Sequence, residues 1–241
     1  MAQVINTNVA ALFAGAALNR SNLALQTAQQ RLSSGLRINS AKDDPTGLIT
    51  ATNYDSQIRG ANQAIRNAND GISKAQTNDG YLSQITENLQ RLREIAVQNG
   101  GSASGVEASA LVTENTRLNG LVNSATTTVV NSADGGTFTT TGVKPTLSST
   151  GTSTVAQIDT DITAVSNARA NYGADMASLS SAVANLQTYS VNTSASYSRV
   201  MDTDYAAESA NMAKNNILQQ AGTAVLAQAN QTPNTVLTLL R

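Results

Sequence analysis

The side chains that could do chemistry in this chain are carboxylates and little else. Three close acidic pairs stand out: Asp43–Asp44, Asp159–Asp161 and Asp202–Asp204. Two carboxyls across a cleft can hydrolyse a glycoside, and several oxygens in one cage can hold a hard cation. The local sequence argues for neither. Asp44 precedes Pro45, which puts it at a turn or a helix start. Asp159 and Asp161 fall near the start of a long helical pattern, where carboxylates favour the helix dipole. Capping and surface roles fit the pairs better than metal binding or catalysis. The 241-residue chain has no His and no Cys. The usual general base, a thiol nucleophile, a thiolate zinc site and a disulfide framework are therefore excluded. Lys42, Lys74, Lys144 and Lys214 are scattered, and no Gly-rich phosphate loop follows a strand. No nucleophile–base set can be assembled, so the chain does not read as an enzyme, and no cofactor or metal is expected.

A net charge of −1 offers no basic footprint for nucleic acid. Charged residues make up only 13% of the chain, against about 25% in an average soluble domain. A surface so short of charge is expected either to be covered by partners or to be poorly soluble at high concentration. The deficit sits at the two ends. Arg20 is the only charged residue from Met1 to Gln30, and Glu208, Lys214 and Arg241 are the only ones from Tyr205 to Arg241. No stretch approaches the roughly 18 consecutive apolar residues of a membrane span. Met1 to Leu25 lacks the basic start and continuous apolar middle of a secretory signal.

The ends are nonetheless patterned as helices. Leu18, Leu25 and Leu32 recur every seven residues, with Ala11 one heptad earlier. Ala210, Ala213, Ile217, Ala221 and Ala224 form a small-residue stripe, with Met212, Leu218, Val225 and Leu226 beside it. An ordinary surface helix carries charge on its outer face. These carry Gln, Asn, Ser and Thr, which two helices packed on their own domain would allow but which points rather to burial between copies of the chain.

The middle must form long helices. Leu48–Gln98 reads as one, with rows at Ile58, Ile65 and Ile72 and at Tyr54, Ala61, Ala68, Ala75, Leu82, Leu89 and Ala96. The sequence leaves open a break near Asn78–Gly80, and Gly100–Gly101 ends the helix. A shorter helix over about Val106–Ser124 takes its apolar side from Leu111, Leu118, Leu121 and Val122. The strongest pattern runs from Ile158 through Ile162, Val165, Arg169, Tyr172, Met176, Leu179, Val183, Leu186, Ser190, Thr193 and Tyr197 to Val200, alternating spacings of four and three. Such a helix would be roughly 60 Å long and cannot bury its stripe alone. The expected fold is mainly α: a long antiparallel bundle or coiled coil formed by the paired N- and C-terminal regions. Between its halves, Thr126–Asn131 and Thr137–Val143 read as a small β-hairpin around Asp134-Gly135-Gly136. The expected organisation is a terminal-helix domain of 1–40 with 205–241, a helical rod of 41–125 with 155–204, and a Thr/Ser/Gly-rich insert at 126–154.

Ser33-Ser-Gly-Leu-Arg-Ile-Asn-Ser-Ala-Lys-Asp-Asp-Pro-Thr-Gly47 reads as a helix stop followed by a structured connection. Gly35 ends the first helix, and Asn39, Asp43 and Asp44 supply turn and cap hydrogen bonds.

Several long motifs, in order at both ends, resemble bacterial flagellin. They are Met1-Ala-Gln-Val-Ile-Asn-Thr-Asn8, Gln30–Asp44, Arg66–Ser73, Leu89–Gln98, Ser198–Ala206, Ile217–Asn230 and Val236–Arg241. The resemblance implies an extracellular subunit of the flagellar filament, a homopolymer exported unfolded through the flagellar type III apparatus. It implies a chaperone, filament cap and junction proteins as further partners, and torque turned into swimming thrust. The large outer domains of longer flagellins should be absent. It marks Leu18, Leu25, Leu32, Ile217, Leu218, Val225, Leu237 and Leu240 as inner-core assembly residues. Ser33, Gly35, Arg37, Asn39, Asp43 and Asp44 fall in the joining segment. The positions matching the epitope of the flagellin-sensing Toll-like receptor are Gln90, Arg91, Ile95, Gln98 and Glu114, while Arg91 and Arg93 read from the residues alone as solvated. A hook–filament junction protein and a surface adhesin using the Thr-rich insert are the alternatives.

Overall fold

The computed structural model describes residues 7–122, 128–130, 136–139 and 141–238. The elements run α1 (Val9–Ser34), α2 (Pro45–Gln98), α3 (Val106–Leu121), β1 (Thr128–Val130), β2 (Thr137–Thr139), α4 (Val155–Met201) and α5 (Tyr205–Thr238). The chain divides into two compact units, one of Met1–Tyr54 with Ala195–Arg241 and one of Asp55–Ser194.

In the unit Asp55–Ser194, α2 and α4 run antiparallel, joined at their seam by the predicted heptad rows. The eleven stripe positions of this unit, from Ile158 to Thr193, are buried or half-buried, while Tyr197 and Val200 pack in the other unit with Ile38, Ala51 and Met201. Leu82, Ile85, Leu89 and Leu92 are fully enclosed, as are Ile158 and Val165, in one cluster that also takes Ala108, Leu118 and Val122. Further along α2 the packing thins to small residues: Ala61 and Ala64 lie under Leu186, and Ala68 under Leu179. This is how a chain with almost no aromatic bulk still closes a seam, by bringing helices near enough for Leu to fill the gap over Ala.

α2 is unbroken through Asn78–Gly80. Asn78 is buried and hydrogen-bonds Tyr172, whose phenol is pushed above its ordinary pKa by that burial. Asp79 accepts from Arg169 Nε at 2.7 Å. These cross-helix bonds hold the turn that Gly80 would otherwise weaken. α2 does end at Gly100–Gly101, both at positive φ, with Gly101 N–H bonding back to Ala96 O at 2.8 Å. α3 is shorter than expected, and Leu121 is 48% exposed rather than core. Its inner row is Ala108, Asn115 and Leu118, and the buried Asn115 Oδ1 accepts from Asn88 Nδ2 at 2.8 Å. A polar residue on the inner face concealed that row.

β1 and β2 pair antiparallel, Thr128 opposite Thr139 and Val130 opposite Thr137. Thr126, Asn131 and the Asp134–Gly135 turn lie outside the described residues. Phe138 anchors β2 on the cluster of Ala68 and Leu179. The second strand does not run to Val143, because the backbone N–H groups of Thr141 and Gly142 are claimed by a buried carboxylate. Asp175 accepts from Thr141 N and Oγ1 at 3.0 and 2.9 Å, and from Gly142 N at 2.8 Å. Gly142 lies against the Tyr172 ring, where a Cβ has no room. Asp161, also buried, accepts from the backbone and hydroxyls of Ser148 and Ser149. The segment 141–149 is thus strapped to α4 at both ends. Asp161 is neither a cap nor a surface group, and no acidic residue lies in the first turn of α4. Asp159 instead meets Arg93 at 2.7 Å.

Leu89→Ala should cost about 2–5 kcal/mol of this unit's stability through the cavity it leaves. Val106→Ala, at a site 89% exposed, should stay within about 0.5 kcal/mol. Urea unfolding followed by circular dichroism measures both.

Candidate functional site

The terminal helices meet within the unit Met1–Tyr54 with Ala195–Arg241. α1 presents Ala11, Ala14, Leu18, Ser21, Leu25, Ala28 and Leu32, and α5 presents Glu208, Met212, Asn215, Gln219, Gly222, Leu226 and Ala229. Both rows alternate by three and four, and the helices run antiparallel. Asn8, the N-cap of α1, accepts from Ala11 N and donates from Nδ2 to Ala229 O at 2.8 Å. Leu18 sits so close to Gly222 that a Cβ there would be 3.2 Å from its Cδ1. Arg31 meets Glu208 at 3.7 Å, and Tyr205 Oη donates to Leu32 O at 3.1 Å.

This seam covers only one stripe of each helix. Val9, Leu12, Phe13 and Leu23 stay exposed on α1, and Ile217, Leu218 and Val225 on α5. Phe13 is 78% exposed and flanks an open apolar groove between the helices, whose other wall includes Leu218 and Val225. The small residues Ala210, Ala213, Ala221 and Ala224 also face outward. The eight candidate assembly residues therefore divide. Leu25 is buried within its own chain, and Leu18 and Leu32 are half-buried in the seam, so these three serve first to hold α1 on α5. Ile217, Leu218 and Val225 present free surface. Leu237 lies on α5 with its side chain outside the described set, and Leu240 lies beyond it.

The joining segment is built from short polar bonds. Gly35, at φ 73°, caps α1 by donating to Arg31 O, while Ser33 stays exposed two residues earlier. Leu36 and Asp202 form a β-bridge, with Arg37 N donating to Met201 O at 2.6 Å and Thr203 N to Gly35 O at 3.0 Å. Arg37 Nη2 reaches Val200 O at 2.9 Å. Asp43 Oδ2 gathers Asn39 N, Ser40 N and Ser40 Oγ at 3.0–3.1 Å. Those donors, Asn39 N–H first, hold the Asp43 carboxyl below its ordinary pKa. Asn39 Nδ2 also donates to Ser34 Oγ at 3.2 Å. Asp44 caps α2, accepting from Gly47 N at 2.9 Å ahead of Pro45, which extends the helix three residues before Leu48. A Cβ on Gly47 would overlap the Asp44 carboxyl and Ile38. Asp204 caps α5 through Ala206 N and Ala207 N, and Asp202 accepts from Ser198 Oγ at 2.6 Å. The acidic pairs are spent on caps, turns, an ion pair and, at Asp161, the buried hold on Ser148 and Ser149, and among the described residues no three acidic groups converge as a metal cage.

Residues 5–134 match the bacterial flagellin N-terminal helical region, and residues 155–240 match the bacterial flagellin C-terminal helical region. The chain belongs to the bacterial flagellin family. It is 33% identical to a flagellin of Serratia marcescens, with all of both chains covered. It is 36% identical to a flagellar filament 31.3 kDa core protein of Treponema maltophilum, covering 99% of this chain and all of that one. Identity to a Salmonella typhimurium flagellin rises to 58% over 104 residues, which are 43% of this chain and 21% of that one.

The positions that the flagellin resemblance marks as a receptor epitope are not equivalent. Gln90 and Gln98 are exposed, but Ile95 is only 7% exposed and belongs to the core of its unit. Its spacing from Leu92 and Leu89 puts it on the inward face. Arg91 is held by Glu107 at 2.9 Å and Glu94 at 3.0 Å, so neither it nor Arg93 is simply solvated. Glu114 accepts two bonds from Arg117, at 2.7 and 2.8 Å, which lower its pKa.

Asp43 supplies a pH test. Because its folded pKa lies below the unfolded value of about 3.9, its contribution is complete above that value and is lost as pH falls through the folded pKa. A carboxyl-carbon NMR titration should place its midpoint below the free value. Ser40→Ala, removing one hydroxyl donor, should move it part of the way back. A midpoint at or above the free value would refute this network.

Proposed function

We propose that this chain is the structural subunit of a flagellar filament, and that it polymerises through the outward faces of α1 and α5. The observation that carries the reading is the exposed apolar surface of two almost uncharged helices that already pair with one another. In solution this surface has no partner. In a tube of copies each pair is covered by its neighbours, and the missing surface charge becomes an advantage. The kinship to flagellins and a filament core protein supports the same reading. The work is mechanical: side-by-side packing of subunits turns motor torque into thrust at the cell exterior, and no reactive group is required of the chain.

Within the subunit we assign 1–40 with 205–241 to the inner core, 41–125 with 155–204 to the rod, and 126–154 to the insert. Leu18, Leu25 and Leu32 hold the terminal pair together, Ile217, Leu218 and Val225 meet the neighbouring copy, and Leu237 and Leu240 extend that contact. The segment Ser33–Asp44 joins core to rod. Ordering the terminal helices costs about 1–2 kcal/mol per residue. Each large apolar side chain buried between copies returns about 1.5–3 kcal/mol. The balance favours order only where many contacts form together, which ties folding of the ends to assembly. Export unfolded through the type III apparatus, a flagellin chaperone, and cap and junction proteins complete the proposed partners. Gln90, Arg91, Gln98 and Glu114 are the proposed receptor contacts, with Ile95 supporting them from beneath.

Ile217→Gln, Leu218→Gln and Val225→Gln should each raise the monomer concentration needed for polymerisation by about tenfold or more, given roughly 1.4 kcal/mol per decade. Sedimentation of polymer measures this, and helical content of the monomer should not change. If the triple variant polymerises like the parent, these residues are not in the interface. For the receptor contact, an Arg91→Ala monomer should activate receptor-bearing cells less than the parent does. Equal activation removes Arg91 from it.

A further inference from the structure

The apolar seam between α2 and α4 repeats itself. Ala61, Ala68 and Ala75 are seven apart on α2, and so are Ile58, Ile65 and Ile72. α4 answers with Leu179 over Ala68 and Leu186 over Ala61 and Ala64, again seven apart. Sliding one helix along the other by a heptad would set Leu179 on Ala61 or Ala75. Apolar would still meet apolar, Leu186 falling on Ala68 or on Tyr54. Burial along this stretch does not by itself select one register out of three.

One polar layer breaks the repeat. Asn78 and Tyr172 are 7% and 4% exposed and bond to each other. In the same layer Arg169 Nε donates to Asp79 Oδ1 at 2.7 Å. In the observed antiparallel register, a one-heptad slip would place Asp79 opposite Ile162 or Met176 and Arg169 opposite Ile72 or Thr86. Asn78 would face Val165 or Leu179. Either slip sets the buried Asn78 amide against Val165 or Leu179, which cannot bond it, and parts the half-exposed Arg169–Asp79 pair, a cost that apolar contact does not offset. We propose that Asn78, Asp79, Arg169 and Tyr172 specify the register of α2 against α4, as a single buried polar residue does in a coiled coil. The consequence reaches the subunit's surface. A slip would carry every outward residue of α4 about 10 Å along α2, so this layer decides the height at which each of those residues is presented.

A second device lies at the end of the same helices, where Ser102 and Thr154 form a β-bridge and Arg93 meets Asp159. The test must separate the two. The chain has no cysteine, so introduced thiol pairs report cleanly. Ala68→Cys with Leu179→Cys closes a disulfide in the native register. Ala61→Cys or Ala75→Cys with Leu179→Cys closes one only after a slip, because a bond forms only when Cα atoms approach within about 7 Å. In the full-length parent, oxidation should close only the Ala68–Leu179 pair. Adding Asn78→Leu, Asp79→Leu and Arg169→Leu should let at least about a tenth of the chains close a slipped pair. Arg169→Asp alone should also raise slipped closure, and Asp79→Arg with Arg169→Asp should suppress it again. If the triple-leucine variant stays helical and closes only the native pair, the end bridge sets the register and the proposal is overturned. Should that variant fail to fold, the charge reversal decides. No slipped closure with Arg169→Asp, or no suppression on reversal, overturns the proposal equally.

Discussion

Two helices packed against each other can each hide one stripe, and everything else about this chain follows from what that leaves uncovered. In α1 and α5 the hidden stripes are Leu18, Leu25 and Leu32 against Met212, Gly222 and Leu226. The rest of each cylinder carries Phe13, Ile217, Leu218 and Val225 beside alanines and amides, with Arg31–Glu208 as the cross-helix ion pair. A monomer gains little from such a pair. Isolated helices are marginal without tertiary burial, and contiguous exposed apolar surface of this kind marks an interface. The proposed filament is the arrangement that covers it.

The unit Asp55–Ser194 resolves the same constraint differently, by supplying its own third helix and strap. α3 covers the stretch of α2 and α4 where Leu82, Leu89, Ile158 and Val165 meet. Where α3 is absent the seam contracts to Ala61, Ala64 and Ala68. Polar groups then provide what small apolar ones cannot, a unique fit. Asp161 and Asp175 fix the segment 141–149, and Asn78 with Arg169 fixes one helix against the other. The exposed ion pairs around Arg91 and Arg117 add little stability and belong to the surface.

The parts of this fold legible in the sequence are those written in heptads. The α4 stripe and the α2 rows could be read residue by residue, since period and burial coincide there. The caps were legible too: Asp44 before Pro45 and Gly35 after α1 each have one cheap conformation. What escaped was polar and inward. Asp161 reads as a cap or surface charge and Asp175 draws no notice in the sequence, although they lie seven residues either side of Ala168 on one buried row. A Thr- and Ser-rich segment just upstream, full of donors, was the available signal. Asn115 hid the inner face of α3 in the same way. At the candidate interface the sequence located the uncharged ends but not which leucines face inward, because two stripes on one helix have the same composition until a partner chooses between them.

Amide hydrogen exchange in the monomer and in the assembled filament tests the central claim most directly. Amides of residues 9–34 and 205–231 should exchange rapidly in the monomer and become strongly protected on polymerisation. Those of 82–96 and 158–172 should be protected in both. Equal, strong protection of the terminal helices in the monomer would contradict it, since the α1–α5 pair would then be stable without any neighbour.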